Sequence, residues 1–113
     1  MALKKDEVIE DVKRLLLQLR KRYDIREAYL FGSYARGRPK EYSDVDIAIV
    51  LGSIGVGIHP FGNGSPFDET FEIFHKVQQH NSLFEVVCFR EVEFAREETA
   101  LIRHVRRDGI RIL

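Results

Sequence analysis

The sequence predicts an α+β fold in one domain over residues 1–113, a small sheet with helices packed on one face. Three observations lead there. Residues 4–23 place apolar side chains at alternating three- and four-residue intervals, the period of a helix lying on a core. Two short apolar runs, residues 45–51 and 83–89, alternate in the manner of strands. The first of these runs has one apolar face (Val45, Ile47, Ile49, Leu51) and one that opens with Asp44 and Asp46. Amphipathic helices are therefore expected on the apolar face, leaving the acidic face open as the site.

Composition sets the bounds. A chain of 113 residues suffices for one domain with a modest core, and 44% hydrophobic with 32% charged residues is ordinary for a globular protein. Eighteen basic and eighteen acidic residues balance, which argues against a protein living on non-specific nucleic-acid binding. Direct nucleic-acid contact is accordingly not expected. Neither a membrane span nor a signal peptide is legible, so no membrane partner is expected and the cytoplasm is the default compartment. The lone cysteine, Cys88, sits in a strand pattern and is expected to be a buried thiol.

In chain order, the first helix carries Ile9, Val12, Leu16, Leu19 and Tyr23 on its apolar stripe, with Val8 and Leu15 beside it. Arg20 to Arg22 suit its C-terminal end, where cations meet the negative end of the helix dipole. Residues 28–31 read as a buried strand that stops at Gly32-Ser33. A glycine there permits a sharp turn and a close approach to the backbone. Ser33 is placed to cap a short helix through Tyr34, Ala35 and Arg36, whose free N–H groups would favour an anion. Gly37, Arg38 and Pro39 end it.

The strand at 45–51 follows. Carboxylates at i and i+2 lie about 6–7 Å apart at Cα, close enough to share a cation. Without one they would repel. Either half of the pattern alone says little. Gly-Ser, ten residues, then Asp-x-Asp should arise by chance in roughly one chain of this length in a thousand. Residues 52–66 hold five glycines and two prolines and read as a long surface loop. Their spacing fits neither the dinucleotide fingerprint nor the P-loop, and His59 is expected to be exposed.

Ser65-Pro66-Phe67-Asp68 then opens a helix running to about Gln79, with Phe67, Phe71, Phe74 and Val77 as its buried stripe. No zinc spacing involves His75 or His80. In the strand at 83–89, Glu85 is one carboxylate among six apolar residues. It either meets water or an ion pair at the sheet surface, or completes an acidic triad with Asp44 and Asp46 if the two strands are neighbours. A final helix spans 91–107, with a break near Arg96. Its apolar contacts are Phe94, Thr99, Leu101, Ile102 and Val105, and Gly109 caps it. Arg103, Arg106 and Arg107 complement its dipole, and residues 110–113 add an edge strand.

At GSYARG and SDVDIAIV the sequence resembles the nucleotidyltransferase superfamily that includes DNA polymerase β. The short chain and the ARG after the serine look most like minimal nucleotidyltransferases, the antitoxins of HEPN/MNT pairs. The specific motif covers Phe31 to Val50, and element spacing extends the resemblance more weakly over nearly the whole chain. The resemblance implies a mixed sheet with the nucleotide on its exposed side. It implies one or two Mg²⁺ held by Asp44, Asp46 and Glu85, the last where the family commonly has aspartate. It implies a nucleoside triphosphate, ATP, gripped by Gly32 and Ser33 with Arg36 and Arg38 steadying the phosphates. AMP would pass to a tyrosine of a HEPN-domain toxin. Two rival readings stand beside it: a non-catalytic antitoxin acting by occlusion, and a nucleotidyltransferase for a small molecule. The oligomeric state, a homo-oligomer included, is left open.

Overall fold

A computed structural model describes residues 4–32, 44–52 and 69–113. The elements, in order, are α1 (Lys5–Leu19), β1 (Ile25–Phe31), β2 (Val45–Leu51), α2 (Glu69–His80), β3 (Phe84–Arg90), α3 (Glu91–Ala95), α4 (Ala100–Asp108) and β4 (Ile110–Arg111). They build a four-stranded sheet in the order β3-β2-β1-β4. β1 runs antiparallel to β2 and β4, while β2 and β3 are parallel, so the sheet is mixed. A parallel pair needs a crossover, and α2 lies within the one that joins β2 to β3.

β2 occupies the expected residues. β1 begins three residues earlier than its apolar core suggests, because Ile25 joins the ladder opposite Leu51 across an irregularity at Arg26. The edge strand β4 is present. The last helix is divided as expected. Glu97 takes a left-handed φ of 52°, its carbonyl accepts from Arg103, and the Thr99 hydroxyl accepts the Ile102 N–H to start α4. Gly109 does cap α4, but with an extended φ of −73° rather than a left-handed one.

One face of the sheet behaves as its pattern demands. Val45, Ile47, Ile49 and Leu51 are fully covered, in one cluster with Val12, Leu16 and Leu19 of α1, Ile73 and Val77 of α2, and Leu30 and Phe84. His80–Asp11 pairs α2 with α1 at the surface, and Arg22–Glu72 pairs α2 with the turn after α1. Arg90 ties the end of β2 to the start of α2, donating to the Gly52 carbonyl and pairing with Glu69.

Four expectations need correction. Helices do not lie on one face alone: α3 and α4 lie on the second face, where Phe94, Ile102 and Val105 bury Ala48, Val50 and Phe89. Past Asp46 that face of β2 is apolar too, and leaving it wet would cost about 25 cal/mol per Å². Phe71 and Phe74 are not core residues; they are 45% and 44% exposed, and α2 is turned so that Ile73 and Val77 meet the sheet. Leu101 and Thr99 are likewise exposed, Leu101 because Ile102 and Val105 already form the inward stripe of α4 and Thr99 because its hydroxyl caps that helix. Cys88 is half-buried rather than buried, packing at the margin of the first cluster. The arginines near the C-terminus are engaged locally, Arg106 lying over the Phe94 ring at 5.3 Å and Arg107 pairing with Asp108. Among the described residues, no helix is long and apolar enough to cross a membrane.

Candidate functional site

The second face is closed by α3 and α4 only in part. Beyond Ala48, toward the start of β2, the sheet carries Asp46 and then Asp44. Asp44 is exposed and Asp46 half-buried. On β3, Glu85 is paired with Asp46 in the parallel ladder. On β1, Phe31 is paired with Asp46 in the antiparallel ladder. Residues in register on neighbouring strands about 4.8 Å apart point to the same face. Glu85, Asp46 and Phe31 therefore form one row across three strands. The adjacency of β2 and β3, on which the reading of Glu85 depended, is present.

Gly32 follows directly after Phe31 with a φ of +76°. A Cβ placed on it would overlap the Asp46 carboxylate, with the carboxyl carbon at 3.2 Å. The position thus excludes a side chain on two grounds, left-handed backbone and space. The group that approaches the glycine backbone closely is Asp46, the second aspartate of the Asp-x-Asp pair and the one carried by β2. The turn after β1 and the acidic strand are one local structure, not two motifs that happen to be near in sequence.

The row is chemically plain. Its polar members are carboxylates, hard oxygen donors of the kind Mg²⁺ takes and without the sulfur or imidazole that softer metals favour. Among the described residues Glu85 has no ion-pair partner, so the alternative of a structural ion pair finds no support there. Among the same residues no three of histidine, cysteine, aspartate or glutamate gather closely enough to hold a metal ion. The fold brings Asp46 and Glu85 side by side, while Asp44 stands just outside the ladder at the mouth of the strand. The donor set fits a divalent cation in kind, and two of its three carboxylates are in register. Ser33, Arg36 and Arg38, the residues 34–36 helix, His59 and the start of the helix at Ser65 lie outside the described residues.

Two residues, Phe31 in the row and His104 beside it, are not singled out by the sequence reading. Phe31 is half-buried, and its ring stands perpendicular to that of His104 on α4, with centroids 6.5 Å apart and planes at 82°. The His104 Nδ1 lies 3.1 Å from Asp108. Strand alternation holds a hint for Phe31, which shares a face with Tyr29. No sequence signal exists for His104, which arrives from a distant helix. Tyr29, next inward from Phe31, donates to Glu27 and lies 5.4 Å from Phe94. Burial, then the hydrogen bond and the charge of Glu27, push its phenol up to about 12.

A mixed sheet closed on one face and opened to a carboxylate row at one end of the other defines an α+β domain suited to a cation and its anionic ligand. The chain belongs to the nucleotidyltransferase domain family, whose match spans residues 12–106. It is similar to the protein adenylyltransferase MntA of Thermococcus cleftensis, with 44% identity over 45 residues, 36% of this chain and 46% of that protein. The matched stretch spans about half the length of the curated relatives. The fold is similar to that of a Sulfolobus solfataricus protein provisionally described as a nucleotidyltransferase (TM-score 0.60, 19% identity, 96% of this chain and 81% of that one). It is also similar to a chain of a toxin–antitoxin structure with AMP-PNP (TM-score 0.57, 20% identity, 89% of this chain and 72% of that one).

Proposed function

We propose that this protein is a Mg²⁺-dependent nucleotidyltransferase that moves AMP from ATP to a hydroxyl of a partner protein, a tyrosine of a HEPN-domain toxin, and so acts as its antitoxin. The observation that carries the reading is the in-register pair of Asp46 and Glu85 set against the side-chain-free turn at Gly32. The adenylyltransferase name of the MntA relative and the AMP-PNP of the toxin–antitoxin neighbour support the adenine nucleotide and the toxin as partner.

In this reaction an acceptor oxygen bonds to the α-phosphorus, the bridging bond to the β-phosphate breaks, and pyrophosphate leaves. The acceptor gives up its proton to solvent water. Asp44, Asp46 and Glu85 are the residues that would hold Mg²⁺. Bound there, it would neutralise the triphosphate and lower the pKa of the attacking hydroxyl. The left-handed turn at Gly32 keeps the backbone bare, so that phosphate oxygens can approach it. Ser33, Arg36 and Arg38 are assigned by the sequence pattern to the β- and γ-phosphates. Carboxylates left without a cation would repel that triphosphate, so the row and the metal are expected to act together.

The test is calorimetric titration of ATP with and without Mg²⁺, on the wild type and on the Asp44→Asn/Asp46→Asn variant, with and without the toxin. Transfer of labelled AMP to the toxin is read in parallel. Binding that needs Mg²⁺, vanishes in the variant and leads to labelled toxin is the expected result. A toxin that is neutralised equally by the variant, with no label transferred, would overturn the enzyme reading in favour of occlusion.

A further inference from the structure

We propose that Phe31 and His104 form the wall against which the nucleobase rests, and so are the base-contacting residues of the nucleotide site. The inference builds on the nucleotide reading above. The carboxylate row ends differently on its two sides. Toward β3 it ends at the exposed Glu85 on an edge strand. Toward β1 it meets Phe31 in register and then the His104 ring standing perpendicular to it. Phosphates drawn to Gly32 and the metal-binding carboxylates leave the base needing a planar, weakly polar neighbour. Among the described residues in contact with the row, only this side supplies aromatic rings.

The wall is held from behind and left open in front. Phe31 packs against the cluster under α4, which fixes its ring. The Asp108 carboxylate, one turn on, engages the His104 Nδ1 and sets the imidazole plane. His104 nevertheless keeps a third of its side chain exposed. One turn back on the same side of α4, Leu101 is 41% exposed and gives the imidazole one apolar neighbour at the surface. Because the two rings stand at 82°, a purine stacks on the partly exposed imidazole and meets Phe31 with its edge, gaining affinity without base-edge hydrogen bonds, so the wall should favour purines over pyrimidines by ring area rather than by pattern.

The test separates base from phosphates by titrating Mg·ATP and Mg·tripolyphosphate into the wild type, His104→Ala, His104→Phe and Phe31→Leu, with folding checked by circular dichroism. His104→Ala is expected to weaken ATP by about tenfold. His104→Phe should restore it, Phe31→Leu should weaken it, and tripolyphosphate should bind all four alike. ATP affinity unchanged in His104→Ala, while tripolyphosphate binds the wild type, would overturn the wall alone. So would equal weakening of both ligands, which would make His104 a phosphate or structural group. A wild type that binds neither ligand, alone or with the toxin, would overturn the nucleotide site and the wall with it.

Discussion

The two faces of β2 differ by two side chains, and that difference separates a core from a site. On one face Val45, Ile47, Ile49 and Leu51 are all fully covered by α1 and α2. On the other, Ala48 and Val50 are just as dry beneath α3 and α4, but Asp46 is half-buried and Asp44 exposed. The covering layer stops where the strand turns acidic, because desolvating an unpaired carboxylate costs more than burying the few carbons around it returns. A face that holds a candidate site thus need not be a bare face. It is mostly core, with one end withheld.

The sharpest way to break this contrast is to change neighbouring residues of β2. Ile47→Ala should cost about 2–5 kcal/mol, a large share of a small domain's stability, read as a lower urea midpoint. Asp46→Asn beside it should leave the midpoint within about 0.5–1 kcal/mol of wild type while removing Mg²⁺-dependent ATP binding. Similar losses of stability from both would mean that Asp46 serves the fold and that the open end is not a site.

A smaller effect is expected from Gly32→Ala, which tests whether turn and carboxylate are one unit. The left-handed φ and the overlap with Asp46 should together cost about 1–3 kcal/mol. ATP binding should fall more than the change in stability accounts for, since Asp46 must move aside. A variant with wild-type nucleotide affinity would uncouple the two.

The smallest effect concerns the covered part of the second face. Tyr29 keeps its proton to a pH of about 12, whereas an unfolded tyrosine loses it near 10. Its contribution to stability is therefore complete below pH 10 and is lost as pH rises from 10 to 12. Denaturation midpoints across that window should fall in the wild type and fall less in Tyr29→Phe. Equal slopes would show that the phenol titrates as freely as in the unfolded chain.

Much of this was legible in the chain. The bounds of β2, the division of the last helix near Arg96 and the edge strand at Ile110 follow from local pattern. So does the sharing of one face by Glu85, Val87 and Phe89, since alternation along a strand needs no knowledge of its neighbours. The misses have a common cause. Val77 is buried as expected, but Phe71 and Phe74 make as plausible a stripe beside it on α2 as Ile73 does; only the sheet beneath chooses the rotation. The stripe of Phe94, Ile102 and Val105 shows that α3 and α4 bury something, without saying which face of the sheet it is.

The sequence by itself determined the carboxylates, the glycine that must precede them and the strand that carries them, because these depend on residue type and on spacings of a few residues. Tertiary structure alone decided that Glu85 stands beside Asp46, that the Gly32 turn closes onto that same aspartate, and that His104 faces Phe31. Those contacts join distant segments, and they are chosen by which apolar faces can be covered at once, a condition that no local stretch of chain contains.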